Sequence, residues 1–174
     1  MISPTPGSTL AGSTVTFTWT GVAGASQYAL WFGSTPGAYD LGYTYQTGTS
    51  YTALLPATGA TLYVRLWYMA GGVWLHAPDY TYTEATFRML TPTPGSTLPG
   101  TSIQFTWTPL VGASQYAIWF GSTLGTYNLG YSYQAGTSYT ATLPPATGAT
   151  LYVRLWYQVI AGGPWQQISY TYVH

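Results

Sequence analysis

Apolar and polar residues alternate with a period of two through most of the chain, and no stretch keeps the helical period. In VTFTW, Val15, Phe17 and Trp19 alternate with threonine, which is typical of a strand with one buried face. Further runs predicted as strands are QYALWFG from Gln27, SYTALL from Ser50 and TLYVRLWY from Thr61. Glycine and proline separate the runs every eight to twelve residues or so, a spacing typical of a β-sandwich. The pattern predicts an all-β fold.

The chain contains two copies of one sequence. PTPGSTL, GASQYA and TLYVRLWY each occur twice, about 88 residues apart, which fits a small domain better than a solenoid unit. We therefore predict two sandwich modules, residues 1–86 and 87–174. Because Met1 and Met89 occupy equivalent positions, we also expect the chain to be part of a longer array.

Three segments of the first copy resemble fibronectin type III and related bacterial immunoglobulin-like modules. They are the strand ending in Trp19, the Tyr28 that opens the next strand, and LPATGATLYVRL from Leu55. The second copy repeats them with Phe105 and Trp107, Tyr116, and Leu143 to Leu155. PTPGSTL, FTW and YVRLW are in particular similar to repeat modules of large secreted bacterial proteins. The resemblance implies two tandem immunoglobulin-like (fibronectin type III-like) β-sandwiches, a role in binding, spacing or adhesion, and an extracellular or cell-surface location.

The composition excludes several classes of partner. Charged residues make up 3% of the chain and aromatic residues 18%, whereas about a quarter of an ordinary soluble protein is charged. With a formal net charge of zero, neither nucleic acid nor an anionic membrane would find a basic surface. No apolar run is long enough for a transmembrane helix, so we expect no membrane insertion. The absence of cysteine excludes disulfides and thiolate metal sites and leaves the compartment open.

The residues available for catalysis are few. Acid–base chemistry needs titratable groups close together. Apart from arginine and tyrosine, those in the chain are Asp40, Asp79, Glu84, His76 and His174. Asp40 becomes Asn128 in the second copy, and no titratable pair occurs in both copies. We therefore predict no enzyme, no cofactor and no metal site, since calcium needs several converging carboxylates and zinc more than two isolated histidines. Only an Asp40 or Asp79 buried beside a histidine would favour a hidden active site.

Both copies share an aromatic pattern on one side of two strands. If Leu62, Val64 and Leu66 point inward, alternation places Tyr63, Arg65 and Trp67 outward. We expect Trp31 to point the same way from the neighbouring strand. The equivalent residues of the second copy are Tyr152, Arg154, Trp156 and Trp119. One interpretation is a ladder, with Arg65 stacked between Tyr63 and Trp67, that stiffens the sheet. The other is a recognition face, since so large an aromatic patch exceeds what a monomer usually exposes.

A second aromatic cluster lies in YDLGYTYQTGTSY, from Tyr39 to Tyr51. Tyr43 and Tyr45 share a side of a predicted edge strand, and the second copy repeats them as Tyr131 and Tyr133. Edge strands are normally protected by charge, proline or bulges, and this one has almost none. Either these tyrosines are contact residues, or their hydroxyl groups simply keep the edge hydrated.

Two functional classes remain. The first is a structural module of a filament, surface coat or adhesin stalk, whose partners are copies of itself or neighbouring modules. The second is a carbohydrate-binding module, whose tryptophan and tyrosine rings stack on a polysaccharide. We favour the first, because near-zero charge is a property of the whole chain and a sugar site would require only a local patch.

The segment between the repeats, TEATFRML from Thr83 to Leu90, contains no glycine or proline and does not resemble a flexible tether. We expect its apolar residues Phe87, Met89 and Leu90 to pack between the modules.

Overall fold

The computed structural model describes residues 1–145 and 147–174. They divide into two compact modules, Met1–Thr86 and Phe87–His174. None of the described residues is helical, and the strands pair antiparallel. The all-β class predicted from the alternation is confirmed. Nowhere in the described ranges does a helix reach the length and hydrophobicity that crossing a lipid bilayer requires.

Residues 1–86 form seven strands. They are β1 (Thr14–Thr18), β2 (Ala25–Gly33), β3 (Gly42–Gln46), β4 (Ser50–Leu54), β5 (Thr61–Ala70), β6 (Val73–His76) and β7 (Tyr80–Thr83). β1 and β4 form the smaller sheet. The larger sheet has the order β3-β2-β5, and both β6 and β7 pair with β5.

The core of the first module lies between its two sheets, where the alternating apolar residues meet. Phe17 of β1, Leu30 of β2 and Val64 of β5 are fully buried, and the ring of Phe17 lies 5.3 Å from that of Phe32. Complete burial of such a side chain contributes about 1.5 to 3 kcal/mol. The period-two pattern therefore produces strands because each strand has one face in this core.

Tyr82 closes the core from the last strand. It is 2% exposed, its ring lies 5.5 Å from that of Phe17, and its hydroxyl donates a hydrogen bond to the carbonyl oxygen of Pro4. Burial raises the pKa of Tyr82 well above its usual range. Tyr172 occupies the same place in the second module and donates to the carbonyl oxygen of Pro92.

The described part of the second module also forms seven strands. They are β8 (Met89–Thr91), β9 (Ser102–Trp107), β10 (Gln115–Gly121), β11 (Gly130–Gln134), β12 (Ser138–Thr142), β13 (Thr150–Gln158) and β14 (Gln166–Val173). The smaller sheet has the order β12-β9-β8 and the larger one β11-β10-β13-β14. β14 is one continuous strand where the first module has the two short strands β6 and β7.

The segment between the repeats departs from the sequence prediction. Phe87 and Met89 are buried in the second module, where the ring of Phe87 lies 5.7 Å from that of Tyr116 and 4.7 Å from that of Tyr157. Of the three apolar residues in this segment, Leu90 is the exposed one, at 45%. The prediction that these residues pack between the modules is wrong for Phe87 and Met89, because β8 pairs with β9 and draws them into the second module's core.

Candidate functional site

The outward side of the larger sheet, which we call the aromatic face, carries the predicted site residues. In the first module β2 and β5 pair so that Trp31 lies opposite Arg65 and Ala29 opposite Trp67. The second module repeats these pairs between β10 and β13, as Trp119 with Arg154 and Ala117 with Trp156. The six ring and arginine side chains are each partly exposed. Each aromatic face therefore holds two tryptophans and an arginine side by side.

The predicted edge tyrosines lie on β3 and β11, the outermost strands of the two larger sheets. Tyr43 is 59% exposed and Tyr45 53%, and in the second module Tyr131 is 55% exposed and Tyr133 52%. Among the described strands, β3 pairs only with β2, and β11 only with β10. Each module thus presents two half-exposed tyrosines beside a row of unpaired backbone groups.

Ring contacts run from this edge across the aromatic face. In the first module the ring of Tyr43 lies 5.9 Å from those of Tyr39 and Tyr45. Trp31 continues the network, 4.9 Å from Tyr39 and 4.8 Å from Trp67. Tilted and edge-to-face contacts at such distances contribute about 0.5 to 1.5 kcal/mol each beyond the burial of area. The network therefore holds the rings in fixed orientations.

The second module reproduces this network. Its centroid distances are 5.7 Å for Tyr127–Tyr131, 6.1 Å for Tyr131–Tyr133, 4.9 Å for Trp119–Tyr127 and 4.9 Å for Trp119–Trp156. The rings enclose a shallow edge cleft in each module. It is about 270 Å³ in the first, lined by Trp31, Tyr39, Tyr43 and Tyr45, and about 250 Å³ in the second, lined by Trp119, Tyr127, Tyr131 and Tyr133.

A central cleft lies further into each face. In the first module Tyr45 of β3 and Trp74 of β6 extend toward each other over the same face of the sheet, with ring centroids 5.7 Å apart. Ala29 lies beneath them and is only 1% exposed although it points outward. Trp31 and Trp67 complete this cleft of about 170 Å³. The second central cleft measures about 320 Å³ and is lined by Ala117, Trp119, Tyr133, Trp156 and Trp165. The small alanine between large rings makes the face concave.

Two of the predicted face residues stand apart from the clefts. Tyr63 and Tyr152 lie one row further along their strands, opposite Gly33 and Gly121, and take part in none of the ring contacts found among the described residues. The expected ladder of Tyr63, Arg65 and Trp67 is therefore wrong for Tyr63, because the side chain of Arg65 turns toward Asp79.

Sequence reasoning placed Tyr39 and its counterpart Tyr127 in the second aromatic cluster without predicting them as site residues, and it missed Trp74 and Trp165. Tyr39 reaches Trp31 because the loop after β2 folds back tightly, with the N–H of Leu41 donating to the carbonyl oxygen of Phe32. A Cβ on Gly33 would lie 2.4 Å from the carbonyl oxygen of Ala38, so this close approach needs glycine. The signal was the duplication itself, since both copies repeat a tyrosine and a tryptophan at these positions.

Arg65 forms an ion pair in the first module. Its Nε donates to Oδ1 of Asp79 at 2.7 Å and its Nη2 to Oδ2 at 2.9 Å, a bidentate geometry. The hydrogen bonds and charge of Arg65 lower the pKa of Asp79, and Asp79 raises the pKa of Arg65. The side chains are 22% and 13% exposed. Charge on this face is therefore compensated.

Asp79 takes this position because it precedes Tyr80 of β7, which pairs with Val64 of β5, and a bulge at Pro78 separates it from β6. His76 lies opposite Trp67, and Tyr80 lies opposite Val64. Between them, the N–H of Ala77 donates to the carbonyl oxygen of Leu66. Pro78 and Asp79 thus share the place opposite Arg65, as in a β-bulge. In the second module β14 runs without a bulge, and Ser169 lies opposite Arg154.

Arg154 has a different environment from Arg65. Its guanidinium carbon lies 4.9 Å from the ring centroid of Trp119 and 5.3 Å from that of Trp156, and Nη2 donates to the carbonyl oxygen of Gly125. Its Nε is buried and has no hydrogen-bond partner among the described residues. No carboxylate in the described chain pairs with Arg154. Its charge therefore lies against two π faces and one backbone carbonyl oxygen, with no carboxylate partner among the described residues.

Asp79→Asn should lower the free energy of unfolding of the first module at pH 7 by about 1 kcal/mol, the scale of a partly exposed bidentate pair. Because Arg65 lowers the pKa of folded Asp79, the pair stabilises the fold fully above the unfolded pKa of about 3.9. This stabilisation disappears as the pH falls through the lower, folded pKa. Urea unfolding followed by tryptophan fluorescence between pH 7 and about pH 2 measures it. An unchanged unfolding free energy at pH 7 would contradict the expectation.

The remaining acidic groups have structural partners. Asp40 is exposed and accepts hydrogen bonds from the N–H and hydroxyl of Ser34, which lower its pKa. Glu84 is 2% exposed and accepts from the N–H and hydroxyl of Thr58. His76 is the last residue of β6, and its ring lies 4.5 Å from that of Trp67. Within the described residues, no three His, Cys, Asp or Glu side chains are grouped as a metal site would require.

Comparison with known proteins gives structural neighbours only. No protein-family model matches the chain, and no curated protein matches it either. Among solved structures, it is similar to a two-domain fibronectin type III segment of chicken tenascin, with 15% identity, coverage of 98% of this chain and 95% of that one, and a TM-score of 0.37. It is also similar to the FN1-FN3 domains of chicken CNTN1, with 14% identity, coverage of 97% of this chain and a TM-score of 0.34. The chain spans 65% of that second structure. These neighbours are tandem fibronectin type III domains.

Proposed function

We propose that this protein is a non-catalytic extracellular structural module that self-associates through its aromatic faces, as a subunit of a filament, surface coat or adhesin stalk. Its partners are copies of itself or neighbouring modules of the same kind. Self-association requires no catalytic group. The three carboxylates have structural partners instead: Asp40 binds Ser34, Glu84 binds Thr58, and Asp79 binds Arg65.

The observation that carries the proposal is the pair of exposed tyrosines on each unguarded edge strand. Tyr43, Tyr45, Tyr131 and Tyr133 are all more than half exposed, and ring contacts already hold them in place. Ordering a side chain at an interface costs about 0.5 to 1.5 kcal/mol, and preordered rings lose less. Protein interfaces are enriched in tyrosine and tryptophan and depleted in charge, and these faces have that composition.

The composition of the whole chain supports the same function. With 3% charged residues and no net charge, copies of the protein lack the long-range repulsion that keeps ordinary proteins apart. The sheet edge adds a row of free N–H and carbonyl groups that another strand can pair with. Weak repulsion, an open edge and ordered rings together favour contact between copies of the protein.

Carbohydrate binding is a second candidate, favoured by the central cleft of the second module. At about 320 Å³ it reaches the size of small-molecule sites, about 300 to 1,000 Å³, and its tryptophan walls suit stacking on a sugar ring. The first central cleft, at about 170 Å³, is smaller than that range. Self-association is favoured because both modules share its features.

Light scattering on the full chain tests the proposed function. We expect the weight-average mass to rise steadily with concentration at neutral pH. A pull-down on insoluble polysaccharides with the same preparation serves as the second arm. A chain that stays monomeric at every concentration and is retained by polysaccharide would overturn self-association in favour of sugar binding.

A further inference from the structure

The two modules differ in charge at the same position of the aromatic face. In the first, Arg65 is neutralised by Asp79. In the second, Ser169 takes the place of Asp79 opposite Arg154, so the guanidinium lies against Trp119 and Trp156 without a carboxylate. A partly buried guanidinium in such a place favours an anion, because the low local dielectric strengthens the attraction.

The charges of the whole chain are divided in the same way. Residues 1–86 contain one arginine, Arg65, and three carboxylates, whereas residues 87–174 contain Arg88 and Arg154 and no aspartate or glutamate. Of the three carboxylates, Asp79 is in the ion pair and Glu84 is buried. Asp40 is the exposed one, and it adjoins Tyr39, which lines the edge cleft of the first module.

We propose that Arg154 of one copy binds the carboxylate of Asp40 of another copy, so that the first module's edge cleft meets the second module's aromatic face. This inference rests on the proposed self-association and names its contact. The guanidinium of Arg154 and the hydroxyl of Ser169 supply donors for the incoming carboxylate, in the role that Arg65 plays for Asp79 within the first module. Tyr39 and Tyr43 of one copy then approach the rings around Arg154 of the next.

Charge complementarity selects this pairing over contacts between like modules. Two second modules would bring Arg154 against Arg154, and like charges at an interface are unfavourable. Two first modules would bring Asp40 to an Arg65 that is already paired. In the second module Asn128 replaces Asp40, so that module offers no anion. A contact between unlike surfaces is heterologous and can add copies indefinitely, as a filament requires.

Sedimentation velocity on full-length variants tests the contact. Asp40→Asn and Arg154→Gln should each raise the dissociation constant about tenfold, as loss of one charge-assisted contact does. Asn128 shows that asparagine can hold this loop, since it accepts from the N–H of Ser122 at 3.1 Å. Arg88→Gln is the matched control, because it removes the same charge from the same module and should leave association unchanged. If Arg154→Gln perturbs the fold, Arg154→Lys keeps the charge and serves as the second variant.

Mixing the two variants gives the sharpest result. The Asp40→Asn chain keeps Arg154, and the Arg154→Gln chain keeps Asp40, so an equimolar mixture can form one Asp40–Arg154 contact per pair. We expect each variant alone to remain mostly monomeric, and the mixture to stop at a dimer, at a concentration where the unchanged protein grows further. Raising the salt from about 20 mM to about 1 M should weaken association of the unchanged protein and leave that of Asp40→Asn nearly constant.

The outcomes separate this inference from the function on which it rests. Association of the unchanged protein that neither variant weakens would overturn the Asp40–Arg154 contact and leave self-association standing. A protein that never associates would overturn both. Binding of glucuronate that depends on Arg154, with Asp40→Asn associating normally, would assign the anion to an acidic sugar and would also overturn the inference.

Discussion

Lysine at the four edge tyrosines, Tyr43, Tyr45, Tyr131 and Tyr133, should leave the protein monomeric, with a dissociation constant raised about a hundredfold or more. Each substitution removes an aromatic contact of the kind that dominates interfaces. It also places a charge on an edge strand, which is how natural sheets prevent edge-to-edge pairing. The side chains are more than half exposed, so the cores of both modules should stay intact. Light scattering across a concentration series measures the effect.

A matched control adds the same charge to the other sheet. Thr14 and Thr16 on β1, and Ser102 and Gln104 on β9, are exposed pairs with the same two-residue spacing as the tyrosine pairs. Lysine at these four positions should leave association unchanged or weaken it only slightly. If both sets of lysines abolish association equally, general repulsion explains the loss, and the tyrosine edge is not the contact.

Phe17→Ala should destabilise the first module by about 3 to 5 kcal/mol and leave the second almost unaffected. Phe17 is fully buried between Phe32 and Tyr82, with ring distances of 5.3 and 5.5 Å. Its truncation loses both the burial and the packing around the cavity that remains. Differential scanning calorimetry should show two transitions, of which only one moves to lower temperature.

Phe105→Ala is the reciprocal variant. Phe105 is equally buried and lies 5.1 Å from Phe120 and 5.7 Å from Tyr172, so the same truncation should lower the other transition. The two variants together assign each transition to a module. A single transition lowered equally by either substitution would show that the two cores unfold as one unit.

The strands were predictable because burial alone determines their pattern. VTFTW has one buried side, and all of it except Trp19 lies in β1. TLYVRLWY has the same pattern and forms most of β5. The neighbouring position of Trp31 and Arg65 followed from the usual strand order of a sandwich. The burial of Phe87 in the core of the second module could not be predicted, because an apolar residue between two modules shows the same sequence pattern whichever core it packs into.

The aromatic face was predictable only in part. Alternation identifies Trp31, Trp67 and Arg65 as outward residues, since each lies next to a buried one. Which rings touch depends on side chains from strands far apart in sequence. The ring of Trp74 contacts that of Tyr45 across two intervening strands, and the local sequence pattern does not predict which residues meet over that distance. The contact between Trp74 and Tyr45 also buries Ala29, which lies beneath the two rings.

The sequence by itself determined the two modules, their strands and the direction of each side chain, because a duplication and a period of two are local properties of the chain. Only the tertiary structure decided that Arg65 has a carboxylate partner and Arg154 has none. The register of β5 with β7, and of β13 with β14, brings Asp79 and Ser169 to the same place beside the two arginines, and only Asp79 has a carboxylate to offer. Electrostatic interaction depends on distance in space, and the fold sets that distance.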